Sequence, residues 1–187
     1  MGINVVRVST EEELVGILSL HHKNLKHNVS EEEKQKEGYV TAEYNLDLLK
    51  KMHSFSPSVI AKDGNEVVGY VLVATKEFYG NQPLLDDMFN CIDKIVFDRQ
   101  LLGSSTYAIC GQLCVDKSYR GQGLVQLMYS FYQEELKNHY QYCITDVARG
   151  NPRSLKAHLR TGFEVVSTID YSGVVFDVVL WNWRIKN

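Results

Sequence analysis

The chain has 187 residues, 44% hydrophobic and 23% charged, with a formal net charge of −3. That length suits one hydrophobic core and predicts a single domain over residues 1–187, and the apolar content excludes a largely disordered chain. With 20 Lys and Arg against 23 Asp and Glu there is no basic stripe of the kind nucleic acid requires.

No run reaches the roughly 20 apolar residues that cross a bilayer, and Met1 to Arg7 lacks the basic-then-apolar layout of a leader. Neither a nucleic-acid nor a membrane partner is expected. Cys91, Cys110, Cys114 and Cys143 are too few and too spread for a disulfide framework, so a reduced, cytoplasmic setting follows.

In chain order, Ile3 to Val8 alternates as a first strand, and Thr10 with Glu13 forms a capping-box signature before Leu14, Ile17 and Leu18. Glu11 to Glu13 and Glu31 to Lys36 read as solvated helix starts. Ser30 with Glu33 repeats the cap signal, and a further helix is predicted over Ala42 to His53 with Leu46, Leu49 and Met52 on one stripe. His21, His22 and His27 have no carboxylate at a familiar ligand spacing, so they read as surface histidines and no metal is expected.

Ser58 to Lys62 and Glu66 to Ala74 flank Asp63-Gly64-Asn65 and form a hairpin signal. Phe78 to Ser105 is a connecting excursion with a helix. A strand over Tyr107 to Val115 leads through a Gly-rich turn into a helix to about Asn138, burying Leu124, Met128, Phe131 and Tyr132. A strand at Tyr142 to Ala148, a short helix from Asn151-Pro152, and strands over Phe163 to Tyr171 and Val174 to Trp183 complete the order. This order predicts an α/β fold: one mixed sheet with helices on both faces.

Chemistry concentrates between Leu113 and Val125. Gly121 and Gly123 let backbone approach a ligand, the first-turn N–H groups of the next helix face an anion, and Arg120 adds a cationic fork. That combination is a phosphate or pyrophosphate cradle, although an ordinary Gly-rich turn fits the pattern equally well. G-x-x-x-x-G-K-[ST] is absent, and G-x-G-x-x-G is incomplete because Gln126 stands at the third glycine. A second segment, Asn151 to Phe163, opens with an N-cap and Pro at the first helical position and closes with Gly162.

These two segments, in this order with one helix and one strand between them, resemble the GNAT superfamily of acyl-coenzyme A-dependent N-acetyltransferases. Its motifs read R/Q-x-x-G-x-G/A and N-x-x-(A/S)-x-x-x-Y-x-x-x-G-F. Arg120, Gly123 and the strand end Leu113-Cys114-Val115 match the first, and Asn151, Ser154, Gly162 and Phe163 match the second. Val125 departs where the motif prefers Gly or Ala. His158 departs where many relatives carry the Tyr that protonates the leaving thiolate.

The resemblance implies a mostly antiparallel sheet of about six to seven strands and acetyl transfer from acetyl-CoA to a primary amine, with no metal. The acceptor would be a small molecule or a peptide amine. It further implies that Arg120 and the backbone of Gly121, Gln122, Gly123, Leu124 and Val125 hold the pyrophosphate. The strand before the cradle would splay from the next one, with Leu113, Cys114 and Val115 along the pantetheine arm and Asn151 and Ser154 contacting it. His158 or an ordered water would return the proton, and a main-chain N–H near Leu113 would serve the oxyanion.

The transfer also needs a base, because an amine that titrates near ~10.4 must lose its proton. Asp146 lies on an otherwise apolar strand face and is either that base or a paired structural charge. Gln112, read as sharing a face with Cys110 and Cys114, either orients the acceptor or makes a structural hydrogen bond. His158 is either the acid or a packing residue, and Lys156 and Arg153 read either as solvent-facing or as reaching the nucleotide's phosphates. Glu77, Asp86 and Asp87 are acidic loop residues that either attract a cationic amine or are simply solvated. The apolar last strand offers an edge for a homodimer. A non-catalytic coenzyme A-binding module is the rival reading.

Overall fold

The computed structural model describes residues 2–184 apart from 26, 29, 31–39, 41 and 172. The helix expected from Ser30 and Glu33, and the whole Glu31 to Lys36 charge run, fall on 31–39, outside the described residues. A seven-stranded sheet runs in the order β1 (Asn4–Arg7), β2 (Val59–Asp63), β3 (Glu66–Ala74), β6 (Tyr107–Val115), β7 (Tyr142–Ala148), β9 (Val174–Asn182), β8 (Glu164–Tyr171). Every neighbouring pair is antiparallel except β6 with β7. Strands β4 (Val96–Phe97) and β5 (Gln100–Leu101) form a separate hairpin inside the excursion, with Asp98 and Arg99 at positive φ as a two-residue turn demands.

Five helices among the described residues cover this sheet. On one face lie α1 (Glu11–Asn24), α2 (Leu46–Phe55) and α3 (Pro83–Ile92), sharing a core with Tyr70, Leu72, Ile109 and Ile144. On the other lies α4 (Leu124–Leu136), with α5 (Pro152–Thr161) beside it, over Val71, Val73, Cys110 and Val179. None of the five is long and apolar enough to cross a membrane.

The capping box forms as read: Glu13 N–H donates to Thr10 Oγ1, and Glu13 Oε2 accepts from Thr10 N–H. Glu13 is not solvated, however. It is buried and takes Lys62 Nζ at 2.7 Å. Helix α2 begins at Leu46, four residues later than expected, because Asn45 accepts from Leu48 N–H and so sets the N-cap. On α4 the buried stripe runs through Met128, Tyr129, Tyr132 and Leu136, while Phe131 is only partly buried.

Two expectations fail for reasons of topology. The last strand is not a free edge, since β9 lies between β7 and β8 and its apolar residues fill the molecule's own core. Cys110 and Gln112 do not share a face either. Leu72 pairs with Gln112 but the next residue, Val73, pairs with Cys110, so Gly111 is the extra residue of a β-bulge. One inserted residue reverses the side-chain alternation. Gln112 and Cys114 therefore face α1, and Cys110 faces α4. All four cysteines are free.

Candidate active site

The site begins where two strands part. β6 and β7 pair only at Tyr107–Tyr142, Ala108–Cys143 and Ile109–Ile144, and beyond these each keeps its outer neighbour alone. Asp116 N–H donates to Val68 O at 2.8 Å. Hydrogen-bonded and open pairs alternate along an antiparallel ladder, so Cys114 and Gln112 turn their main chain toward β3. Leu113 and Val115 turn theirs the other way, into the opening. They are two of the three residues expected along a pantetheine arm; the third, Cys114, turns its main chain to β3 instead.

At the wide end of this opening, Gly121 and Gly123 have φ of 77° and 80°, a region that disfavours any residue with a Cβ. Gly123 offers no side chain to cap α4, which leaves the N–H groups of Leu124, Val125 and Gln126 facing a cavity of about 370 Å³. A Cβ at either glycine would meet nothing within 4 Å, so the approach to these amides is clear. Arg120 donates from Nε to Val115 O and from Nη2 to Asn24 Oδ1 at 2.7 Å, and Asn24 is held in turn through Leu20 O.

The opposite wall is α5, which brings Asn151, Arg153, Ser154, Lys156 and Arg160 to the cavity. Arg153 and Lys156 are exposed, at the mouth of the cradle. Arg160 escaped notice, although its spacing from Arg153 and Lys156 puts all three on one helical face. Asn24 carried no signal, being 96 residues from its partner.

The narrow end opens into a second cavity of about 90 Å³, walled by Gly111, Gln112, Leu113, residues Thr145 to Ala148, α3 and α5. Asp146 lines it and is partly exposed. Loss of hydration pushes its carboxyl up to about 6, and no cation among the described residues offsets this. Among the described residues it has no charged partner. Glu77, Asp86 and Asp87 line neither cavity, and Asp86 instead accepts from Gly80 N–H.

His158 also reaches this cavity, but its nitrogens are engaged. Nδ1 lies 2.8 Å from Ser154 O, which can only accept, so Nδ1 carries the proton. Nε2 then accepts from Tyr129 Oη at 2.8 Å. Burial holds the ring down to about 4, so it is neutral near pH 7. A ring bonded in this way has no proton to give a thiolate.

Gln112 is similarly occupied. Its Oε1 accepts from Tyr70 Oη at 2.6 Å and His21 Nδ1 at 2.9 Å, and its Nε2 donates to Ala42 O. His21 is correspondingly a buried residue and not a surface one, its Nε2 accepting from Tyr44 N–H. Among the described residues no three His, Cys, Asp or Glu side chains gather as metal ligands do.

The sequence profile of the Acetyltransferase (GNAT) family matches residues 26–163. No curated protein matches the chain. Among solved structures, a GNAT-family acetyltransferase of Streptococcus agalactiae is similar at a TM-score of 0.68 and 13% identity, covering 97% of this chain and 96% of that one. A chain of the NatC complex bound to Gag peptide and CoA gives 0.64 and 14%, covering 97% and 99%. Salmonella typhimurium yncA with its cofactor acetyl-CoA gives 0.63 and 12%, covering 100% and 97%. At such identities these likenesses show the fold.

The bonding of His158 sets a stability test. Its folded pKa of about 4 lies below the unfolded value of ~6.5, so stability is lost as pH falls through that window. Replacing His158→Phe should cost about 1–3 kcal/mol at pH 7.5 through the two lost hydrogen bonds. By pH 4.5 the gap to the unsubstituted protein should close, as read by urea unfolding. An equal gap at both pH values would mean that the ring is not a buried neutral group.

Proposed function

The chain belongs to the GNAT acetyltransferase family, and on that premise we propose that it transfers the acetyl group of acetyl-CoA to a primary amine. A single domain spanning residues 1–187 carries the activity in this reading, and the four free cysteines suit a cytoplasmic setting. The observation that carries it is the continuous path from the uncapped α4 N-terminus, along the open edge of β6, to the carboxylate of Asp146.

The residues present fit the cosubstrate. Its diphosphate would meet the N–H groups of Leu124 to Gln126 and the Arg120 guanidinium, a pairing favoured by both the helix dipole and the fork geometry. Val125 contributes through its main chain, so the departure from Gly or Ala leaves that contact intact. The polar edge of Leu113 and Val115 would pair with the pantetheine amides, and Asn151 and Ser154 stand opposite that edge. Asn151 also caps α5 through Ser154 N–H.

In the transfer, Asp146 takes a proton from the incoming ammonium, directly or through one water. The neutral nitrogen forms a bond to the thioester carbon, and the Leu113 N–H stabilises charge on the carbonyl oxygen. The carbon–sulfur bond breaks as the bonded nitrogen gives up its second proton, which water relays to the leaving thiolate, because the only N–H of His158 is held by Ser154 O. His158 and Gln112 are then positioning residues: one braces α5 against α4, the other ties β6 to α1. The bonding of His158 also favours a second reading, a coenzyme A-binding module without turnover. Release of free thiol from acetyl-CoA on addition of an amine separates the two.

Arg120→Ala should weaken acetyl-CoA binding about 10- to 100-fold, the worth of a lost charged hydrogen bond, as measured by calorimetry. An unchanged affinity would refute the cradle assignment. Asp146→Asn should lower kcat/KM about 100-fold or more and abolish the rise in kcat/KM through pH of about 6. The same variant should unfold at a higher temperature at pH 7.5 but not at pH 3. A carboxyl raised in the folded state destabilises above its folded pKa and costs nothing below its unfolded one. A variant that is fully active, or destabilised at pH 7.5, would remove Asp146 from the base's role.

A further inference from the structure

The wall that faces Asp146 carries information about the acceptor, and the inference drawn from it rests on the acetyltransferase reading above. Across the small cavity stand Leu84, Leu85 and Met88 of α3, Phe176 of β9, and Val40 with Ala42. Leu85 and Met88 are 3% and 4% exposed, so this is a built apolar wall and not a strip of surface. Among the described lining residues, Asp146 is the only carboxylate and there is no Lys or Arg.

Four polar side chains around it are engaged. Thr145 Oγ1 donates to Cys110 O at 2.8 Å, Asn151 Oδ1 accepts from Ser154 N–H, and Gln112 and His158 are bonded as described. Among the described residues, a second ammonium pressed against Leu85 and Phe176 would lack a counter-charge, and a peptide group pressed against them would meet hydrocarbon in place of partners. Both losses are costly in an apolar site. The volume, about 90 Å³, is on the order of three liquid waters and suits a short hydrocarbon group.

We propose that the acceptor is a small primary monoamine whose nitrogen sits on a compact apolar group, with the ammonium at Asp146 and the hydrocarbon against Leu85, Met88 and Phe176. Polyamines and peptide N-termini are disfavoured by the same wall. Leu85 and Met88 thereby become specificity-determining residues of α3, the helix of an excursion whose sequence alone carried no readable code.

The test uses the full chain with acetyl-CoA, thiol release as readout, and ethylamine, propylamine, butylamine, isoamylamine, spermidine and a leucine-initiated tripeptide as acceptors. Within the alkyl series kcat/KM should rise about fourfold per added methylene until the cavity is filled. Isoamylamine should exceed spermidine and the tripeptide at least tenfold. Met88→Asp should reverse the order of butylamine and 1,4-diaminobutane; if that variant does not fold, the alkyl series on the unsubstituted chain decides alone.

Preference for spermidine or the tripeptide, or a flat alkyl series, would overturn the inference while leaving acetyl transfer standing. Calorimetric binding of acetyl-CoA without thiol release from any of these amines would also overturn it, and would favour the binding module. No acetyl-CoA binding at all would remove the underlying reading.

Discussion

Two parallel strands that stop pairing after three residues are the constraint from which the site follows. Had β6 and β7 continued in register beyond Ile109 and Ile144, the main-chain groups of Leu113 and Val115 would be tied into the sheet. Both strands remain anchored on their outer sides, β6 by β3 and β7 by β9, so each lip of the opening is held in the sheet. Buried peptide groups need partners, and a strand edge left open inside a fold is therefore a ready place for an extended ligand with amides of its own. The bulge at Gly111 lies at the point of divergence, and it turns Gln112 toward α1, where Tyr70 and His21 hold it.

The electrostatics divide along this opening. Its wide end gathers an uncapped helix terminus, Arg120, and three cations from one face of α5, all suited to phosphate. Among the described residues its narrow end holds a single carboxylate, set among largely apolar groups. The division keeps the anion-binding groups away from the base, whose raised pKa depends on having no cation beside it. It also gives the helices on the two faces different tasks: α4 and α5 grip the cosubstrate, while α3 shapes the space for the acceptor.

Features set within a few neighbouring residues were legible in the sequence. The capping box at Thr10, Gly123 at the start of α4, the cap and Pro at Asn151-Pro152, and the Gly162 stop each depend on local backbone chemistry, and all stand where they were read. What depended on contacts distant in the chain was not. No periodicity announces a bulge at Gly111, so the face assigned to Gln112 was wrong by one residue. The burial of His21 and the Asn24 hold on Arg120 come from partners 91 and 96 positions away. The role of His158 turned on Tyr129 of another helix, a residue that pattern reading had passed over in favour of Phe131.

The most direct measurement is a crystal structure of the chain grown with coenzyme A. Expected density puts the diphosphate against the amides of Leu124 to Gln126 with Arg120 beside it, and the pantetheine amides on Leu113 and Val115 between the parted strands. A diphosphate bound elsewhere, or β6 and β7 found hydrogen-bonded to each other as far as Val115, would contradict the site and the function drawn from it.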